Sequence, residues 1–422
     1  AASDVYKRQG DLFVAIPGEK VDGHKFIPDV LKKGAYALSQ QSLDVDGAYI
    51  LVEDTVTAMK RLARFYRSTL DIKVVGITGS VGKTSTKEMI ASVLDTKFRV
   101  HKTQGNFNNE IGLPLTVFTL EESDEIAVLE MGISDFGEMT RLSDIVRPDC
   151  AVITNIGQCH LENLHDRDGV LKAKTEIFSS MNPQGRIYLN GDDDKLVTVT
   201  NSGDRKLVFF GIDNTSGIYA KDIVNLGLKG TKAVFVTPSG EFEVQIPVPG
   251  KHMVYNALAA TAVALDLGMS INQIQAGIAK FKPIGGHSSM IETKRYTILN
   301  DCYNANPVSM KAGIDVLSDA LGRKAAIIGD MFELGENEMQ YHKEIGQFLL
   351  DKPIDEVVVL GELSQNIKQV IEESESKIKV FTFSDNEEAA IYLMATLKPE
   401  DIALIKASNG MNLKEIVNIL LA

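Results

Sequence analysis

Short apolar runs alternate with longer amphipathic stretches over nearly the whole chain. Apolar runs bounded by turn residues are typical of buried strands, and apolar positions three and four apart are typical of helices. The predicted strands are Leu12–Ile16, Tyr49–Val52, Lys73–Ile77, Ile126–Glu130, Ala151–Thr154, Arg186–Leu189, Thr297–Asn300, Ala325–Ile328, Glu356–Leu360, Ile378–Thr382 and Ile402–Ile405. The predicted helices are Ile27–Lys33, Thr55–Leu70, a helix that begins at Thr84, His252–Leu267 and Ile271–Lys280. This alternation implies mostly parallel sheets covered on both faces.

The pattern changes between residues 217 and 247, where short alternating segments are separated by Gly and Pro. Such a stretch predicts an antiparallel β insertion. Residues 282–286, with the sequence Lys-Pro-Ile-Gly-Gly, are the best candidate for a linker. We therefore predict an α/β protein of three domains: a short N-terminal domain at 1–70, a central domain at 71–283 and a Rossmann-like C-terminal domain at 284–422.

Composition limits the classes of function. The 422 residues are 44% hydrophobic, which is enough for two or three separate cores, and the formal net charge of −13 disfavours nucleic acid and anionic membranes as general partners. Three cysteines without paired spacing fit a reducing cytosol, and no apolar run is long enough to span a membrane. Residues 1–9 are polar and unlike a signal peptide, so we expect a remnant joined to a shortened N-terminal domain.

The strongest motif follows the predicted strand at Lys73–Ile77 and opens a helix. Gly79 and Gly82 allow backbone N–H groups to converge on phosphate oxygens, Lys83 would reach the outer phosphates, and Thr84 would ligate Mg²⁺. The full P-loop pattern requires Gly at the position of Ile77, so a shorter G-x-x-G-K-T form remains. The predicted nucleotide-binding residues are Gly79, Ser80, Val81, Gly82, Lys83, Thr84 and Ser85. The alternative is an ordinary Gly-rich turn.

Further candidates follow other predicted strands. Glu130 ends an apolar strand, where a carboxylate is well placed to hold Mg²⁺ near the phosphates, although a solvated acid is an equal alternative. His160 lies just beyond the next strand, at the same predicted sheet edge. Lys174 is on a predicted helix whose simplest interpretation is a solvated face, and its chemistry alone does not single it out.

The order of these motifs resembles the Mur ligase family. The resemblance runs from about Gly10 to the C-terminus, and the most specific matches are residues 10–15, 22–24, 105–112, 301–307 and 329–336. It implies that Thr84, Glu130 and His160 bind metal and that Lys174 becomes carbamylated to ligate a second Mg²⁺. It also implies catalytic roles for Lys83, His160 and Lys174. The implied substrate contacts are Asn108 and Asn109 for the muramoyl group, Asn256 for adenine and Asp301 for the nucleotide.

Three positions depart from the family pattern. Met253 stands where Asn is usual, and His287 and Asn409 stand where Arg is usual. The last two leave open how the C-terminal domain holds anionic groups. In the family, further residues before the position of Gly10 help to bind uridine diphosphate, so we expect the N-terminal domain of this sequence to be a shortened one.

The resemblance implies an ATP- and Mg²⁺-dependent ligase that acts in the cytoplasm, as a monomer, through an acyl phosphate. The implied substrates are UDP-N-acetylmuramoyl-tripeptide and D-alanyl-D-alanine. The alternatives are a Mur-like or folylpolyglutamate-type ligase with another substrate, and a degenerate nucleotide-binding paralogue. The third residue of the acceptor peptide stays open.

Overall fold

The computed structural model describes residues 10–18, 21–200, 202–286 and 289–422. Within these ranges the strands form three sheets, and each sheet takes its strands from a separate stretch of the chain. The predicted remnant at residues 1–9 and the departure at His287 lie outside the described residues.

The N-terminal sheet has three parallel strands in the order β1-β2-β3. Its elements are β1 (Leu12–Val14), α1 (Ile27–Lys32), β2 (Tyr36–Ser39), β3 (Tyr49–Leu51) and α2 (Thr55–Ser68). A small apolar core, which includes Phe13 and Ile27, lies between the sheet and α1. The side chain of Asp54 accepts a hydrogen bond from Thr57 N and so begins α2.

The central sheet has nine strands in the order β12-β11-β10-β9-β8-β7-β4-β6-β5. Its strands are β4 (Lys73–Thr78), β5 (Val100–Lys102), β6 (Ile126–Glu130), β7 (Cys150–Ile153), β8 (Arg186–Asn190), β9 (Lys206–Gly211), β10 (Ile218–Asn225), β11 (Thr231–Thr237) and β12 (Gly240–Ile246). Its helices are α3 (Lys83–Leu94), α4 (Gly112–Val117), α5 (Glu138–Val146), α6 (Leu161–Leu164), α7 (Arg167–Thr175), α8 (Lys251–Asp266) and α9 (Ile271–Lys280).

Pairing in this sheet is parallel from β5 through β10 and antiparallel among β10, β11 and β12. The predicted antiparallel insertion therefore extends the parallel sheet. Two apolar cores cover the two faces, and α8 is almost wholly buried in one of them beside α3. Since β4 lies between β6 and β7, the loops that follow these three strands meet at one edge of the sheet.

The C-terminal sheet has six strands in the order β13-β14-β18-β15-β16-β17, all parallel except the β13–β14 pair. Its strands are β13 (Ser289–Glu292), β14 (Tyr296–Asn300), β15 (Lys324–Gly329), β16 (Glu356–Leu360), β17 (Lys379–Thr382) and β18 (Asp401–Lys406). Its helices are α10 (Pro307–Ser318), α11 (Glu338–Leu350), α12 (Gln365–Glu372), α13 (Asn386–Thr396) and α14 (Lys414–Leu421). Helices on both faces give the predicted Rossmann-like arrangement.

The predicted fold class is confirmed. The exact domain boundaries stay a prediction. The prediction omitted the strands β2, β5, β9 and β13, of which β5 has only three residues and β13 begins shortly after the proposed linker. Among the described residues, no helix is both long enough and apolar enough to cross a membrane.

Candidate active site

A cleft of about 410 Å³ opens at the carboxyl edge of the central sheet and is lined by residues of the central and C-terminal domains. It contains most of the residues predicted from the sequence. Those that line it are Ser80, Val81, Gly82, Lys83, Thr84, Ser85, Asn108, Asn109, Glu130, His160, Asn256 and Asp301. Of the remaining two, Gly79 is in the loop that borders the cleft and Lys174 is buried on α7.

Glycine is required at both ends of the loop between β4 and α3. Gly79 has φ +147°, and a Cβ there would lie 1.9 Å from Thr154 Oγ1. Gly82 has φ +81° and caps the N-terminus of α3. The Lys83 side chain folds back so that Nζ donates to Gly79 O at 2.9 Å. The loop therefore combines a helix N-terminus with a lysine, an arrangement suited to phosphate.

Asn155, which was not among the predicted site residues, holds this loop through its side chain and its backbone. Its Oδ1 accepts from Val81 N at 3.0 Å, its Nδ2 donates to Val81 O at 2.9 Å, and its backbone O accepts from Ser80 N at 3.0 Å. Thr154 Oγ1 also donates to Val81 O, at 2.6 Å. The available signal was the position of Thr154 and Asn155 immediately after β7, at the edge where the loop was expected.

The structure brings Glu130 and Thr84 into direct contact. Glu130 is buried, its Oε2 accepts from Thr84 Oγ1 at 3.0 Å, and its Oε1 accepts from Asn108 Nδ2 at 2.8 Å. Octahedral Mg²⁺ holds oxygens at about 2.1 Å, so adjacent ligands lie about 3 Å apart. The separation of the Thr84 and Glu130 oxygens therefore fits two neighbouring positions around Mg²⁺.

Lys87 is a buried cation beside this carboxylate, and it too was not predicted. Its Nζ lies 2.7 Å from Thr103 O, 3.2 Å from Glu88 Oε1 and 3.7 Å from Glu130 Oε2. The side chain is fully buried. From the sequence, a lysine in the first turns of a helix is expected to be exposed to solvent. The tertiary fold instead buries Lys87 beside the carboxylates of Glu88 and Glu130, where its charge compensates theirs.

His160 lines the cleft, but its Nδ1 is in contact with the C-terminal domain. The ring nitrogen lies 2.6 Å from Glu333 Oε2. The hydrogen bond from His160 holds the pKa of Glu333 below its usual value, and the charge of the histidine acts in the same direction. Sequence spacing gave no reason to pair these residues, because they lie in loops of two different domains.

Lys174 is buried on α7. Burial lowers the pKa of Lys174 to about 8; the Cys159 thiol opposes this decrease and Lys83 adds to it. Lys172 is on a different side of the same helix, with its Nζ 5.4 Å from the centre of the Phe136 ring. Within the described ranges, no three His, Cys, Asp or Glu side chains converge on a possible metal position. A metal here would therefore need ligands of other kinds, such as Thr84.

Asn108 and Asn109 use their side chains within the protein. Asn108 contacts Glu130, and Asn109 Oδ1 accepts from Gly112 N at 2.8 Å at the start of α4. The next residue, Glu110, binds Lys60 on α2 at 2.8 Å. These contacts fix the loop that borders the cleft, and direct contact of either asparagine with a substrate stays a prediction.

The predicted nucleotide contacts lie on both sides of the cleft, with Asn256 on the side of the phosphate loop and Asp301 on the C-terminal domain. Asn256 Oδ1 accepts from Thr86 Oγ1 at 2.9 Å, and its Nδ2 lies 3.3 Å from the sulfur of Met253. On the C-terminal domain, Lys406 Nζ lies 2.5 Å from Asp301 Oδ2. The unusual Met253 is thus a buried neighbour of Asn256. Asn409 is exposed at the start of a short 3₁₀ turn.

Tyr303 brings the C-terminal domain close to the Thr84–Glu130 pair. Burial raises the pKa of Tyr303, and the negative charge of Glu130 acts in the same direction. The cleft therefore has an anion-binding loop on one side and the C-terminal domain on the other.

Three family models match the chain: "Mur ligase family, catalytic domain" over residues 7–67, "Mur ligase middle domain" over 77–264 and "Mur ligase, glutamate ligase domain" over 288–409. A relative from Bacillus subtilis (strain 168) is named UDP-N-acetylmuramoyl-tripeptide–D-alanyl-D-alanine ligase. It is 39% identical over 428 residues, covering 100% of this chain and 92% of that relative.

Two solved structures have closely similar folds. A crystal structure of MurF from Acinetobacter baumannii has a TM-score of 0.91 and 32% identity, covering 99% of this chain and 91% of that one. The MurF ligase from Thermotoga maritima in complex with ADP has a TM-score of 0.88 and 32% identity, covering 98% of this chain and 94% of that one.

Proposed function

The chain belongs to the Mur ligase family, and from that membership we propose that it joins D-alanyl-D-alanine to UDP-N-acetylmuramoyl-tripeptide while ATP is converted to ADP and phosphate. It is an ATP-dependent ligase of peptidoglycan synthesis. The observation that carries the proposal is the cleft in which the phosphate loop, the Thr84–Glu130 pair and the C-terminal domain face one another. The name of the Bacillus relative supports the choice of substrates.

Carboxylate is a poor electrophile, so the acceptor must be activated before an amide can form. An oxygen of the acceptor carboxylate attacks the γ-phosphorus, the bond to the β–γ bridging oxygen breaks, and ADP leaves. The dipeptide amine then attacks the carbonyl carbon of the acyl phosphate. Phosphate leaves with the electrons of the carbon–oxygen bond, and the nitrogen loses its proton as the amide forms.

The phosphate loop contributes position and charge to this sequence. Backbone N–H groups at the start of α3 surround the phosphates, and Lys83 leaves the Gly79 carbonyl to reach their outer oxygens. Asn155 holds the loop in place, so little rearrangement is needed at the moment of transfer.

Thr84 and Glu130, with His160 from the loop after β7, are the residues that would hold Mg²⁺ beside the phosphates. The ion would neutralise charge that develops on the transferred phosphoryl group. Asn108 keeps the Glu130 carboxylate oriented through its second oxygen.

We assign Lys174 as the site of carbamylation. Only a neutral amine attacks CO₂, and burial lowers the pKa of Lys174 to about 8, which increases the neutral fraction near neutral pH. The Nζ lone pair forms the bond to carbon, one oxygen takes the negative charge, and Nζ releases a proton. The product is an anion with two oxygens that would ligate a second Mg²⁺.

The acyl phosphate must be kept from water, and the two sides of the cleft belong to different domains. We therefore infer that the C-terminal domain closes over the bound substrates.

Since ATP and nucleotide-linked precursors are charged and do not cross membranes freely, we place the reaction in the cytoplasm. We further propose that the enzyme acts as a monomer.

Phosphate release from ATP, measured with a panel of amino substrates, tests the proposed function. With UDP-N-acetylmuramoyl-tripeptide present, D-alanyl-D-alanine should stimulate release far more than single amino acids. Preference for another amino acid, or for folate with glutamate, would indicate a different ligase. Nucleotide binding without release under any combination would indicate a nucleotide-binding paralogue that has lost activity.

A further inference from the structure

His160 and Glu333 meet across the boundary between the central and C-terminal domains. His160 has φ +52° and Glu333 has φ +61°, so both residues adopt the left-handed conformation that non-glycine residues rarely occupy. The Glu333 carbonyl accepts from Leu161 N at 3.3 Å, beside the 2.6 Å contact between the two side chains. Two uncommon backbone conformations thus occur together at one contact, as is frequent at functional sites.

The chemistry of the contact determines where the imidazole proton lies. An ionised carboxylate only accepts hydrogen bonds, so Nδ1 must carry the proton that points at Glu333. In the neutral ring the lone pair is then on Nε2. Histidines that ligate metals almost always donate their other ring N–H to a carboxylate or carbonyl, which fixes the ring and its tautomer.

We propose that Glu333 is a positioning residue that holds His160 in the Nδ1–H tautomer and leaves Nε2 to bind a divalent cation. A carboxylate of the C-terminal domain would then orient a ligand of the metal site in the central domain. The inference rests on the proposed function only in assigning a cation to His160.

A purely structural role for this pair is weak by comparison. The side chains of His160 and Glu333 are 25% and 58% exposed, and exposed ion pairs contribute little to stability. Such a contact would not account for two residues in the left-handed conformation. To orient a metal ligand, a contact must fix the direction of the ring but need not add much stability. The contact between His160 and Glu333 fixes that direction.

The test compares Glu333→Asn with Glu333→Gln. Asparagine tolerates the left-handed backbone but is shorter by one methylene, so it should lose the contact. Glutamine keeps the length and an oxygen that accepts from Nδ1. Glu336→Asn is the matched control, because Glu336 is exposed in the same loop.

The first readout is the tautomer of His160 in metal-free protein, measured by ¹⁵N NMR at a pH where the ring is neutral. The chain has seven histidines, and a His160→Gln variant identifies the signal. We expect the Nδ1–H tautomer in the wild type, in Glu333→Gln and in Glu336→Asn, and loss of this preference in Glu333→Asn. An unchanged tautomer in Glu333→Asn would overturn the inference, whether or not the protein is a ligase.

The second readout is the affinity for Mn²⁺ in the presence of ADP, measured by electron paramagnetic resonance. Loss of such a partner typically weakens metal binding 10- to 100-fold, so we expect a loss of roughly that size in Glu333→Asn and little change in the other two variants. A changed tautomer with wild-type Mn²⁺ affinity would also overturn the proposal. Failure of the ligase assay with both readouts as expected would count against the proposed function alone.

Discussion

Two buried lysines near the phosphate loop are accommodated in different ways. Lys87 lies between Glu88 and Glu130, so its charge is paired within the protein. Lys174 is affected mainly by burial, and its pKa falls to about 8. A paired lysine supports neighbouring acids, whereas a lysine with a lowered pKa is available for chemistry.

The carbamate assignment predicts a specific pattern of loss and recovery. Lys174→Ala should be nearly inactive, and a short carboxylic acid in the buffer should restore part of the activity by replacing the carbamate oxygens. Lys172→Ala should keep most of the activity, because Lys172 is on another side of α7, over Phe136. Steady-state turnover of the two variants, with and without acetate, checks this. Full activity in Lys174→Ala would remove the second metal site from the account.

The buried ion pairs of Lys87 predict that its substitution destabilises the protein more than substitution of Lys102. Lys87→Met should lower the free energy of unfolding by about 3–5 kcal/mol, because it leaves buried acids without their cation. Lys102 also binds Glu88, at 2.5 Å, but is partly exposed, so Lys102→Met should cost about 1 kcal/mol or less. Urea unfolding of both variants measures the difference. Equal losses in the two variants would show that the contact between Lys87 and Glu130 does not contribute measurably to the free energy of unfolding.

At the scale of elements, the loop between β4 and α3 depends on residues of the loop after β7. Asn155 satisfies both the N–H and the carbonyl of Val81, and Thr154 adds a third hydrogen bond. The glycines and the lysine of this loop were enough to predict it from the sequence. Its hydrogen bonds with Thr154 and Asn155 depend on the pairing of β4 with β7, which no local sequence pattern encodes.

Loss of the Asn155 hydrogen bonds should weaken the binding of ATP. Asn155→Ala leaves the partly buried Val81 N–H without its partner. The loss of such a hydrogen bond costs about 1–3 kcal/mol, so the substitution should raise the KM for ATP roughly 5- to 100-fold, with a smaller effect on kcat. Lys83→Ala should instead abolish turnover while the melting temperature stays the same. Steady-state kinetics with varied ATP distinguishes the two. A wild-type KM in Asn155→Ala would mean that the loop is rigid without it.

The sequence was most informative for long periodic elements and local motifs. The helix Ile271–Lys280 and the strands Ile126–Glu130 and Glu356–Leu360 have the predicted bounds, because each has a clear apolar pattern. The antiparallel segment was predicted, but its attachment to the central sheet through β9 depends on tertiary pairing. For the same reason, the pairing of Lys87 with Glu130 and the pairing of Glu333 with His160 could not be predicted from the chain alone.

On the scale of the whole molecule, the cleft joins residues that are far apart in the chain. Lys83 and Asn256 line one side and Asp301 the other. A ligand that contacts both sides favours the closed arrangement by its extra contacts there.

Closure predicts a measurable compaction. Small-angle X-ray scattering should give a smaller radius of gyration with nucleotide and acceptor together than without ligands. The nucleotide alone should give a smaller change, because it contacts fewer groups on the C-terminal domain. An unchanged radius in the fully liganded state would argue against closure.

The central claim is that this cleft activates a carboxylate by phosphoryl transfer before an amine attacks it. The most direct measurement follows oxygen from an acceptor whose terminal carboxylate is labelled with ¹⁸O, in a reaction with ATP and D-alanyl-D-alanine. Mass spectrometry of the released phosphate should find an ¹⁸O atom derived from the acceptor, together with the ligated product. Ligated product accompanied by phosphate without ¹⁸O, or phosphate release without ligation, would contradict the account.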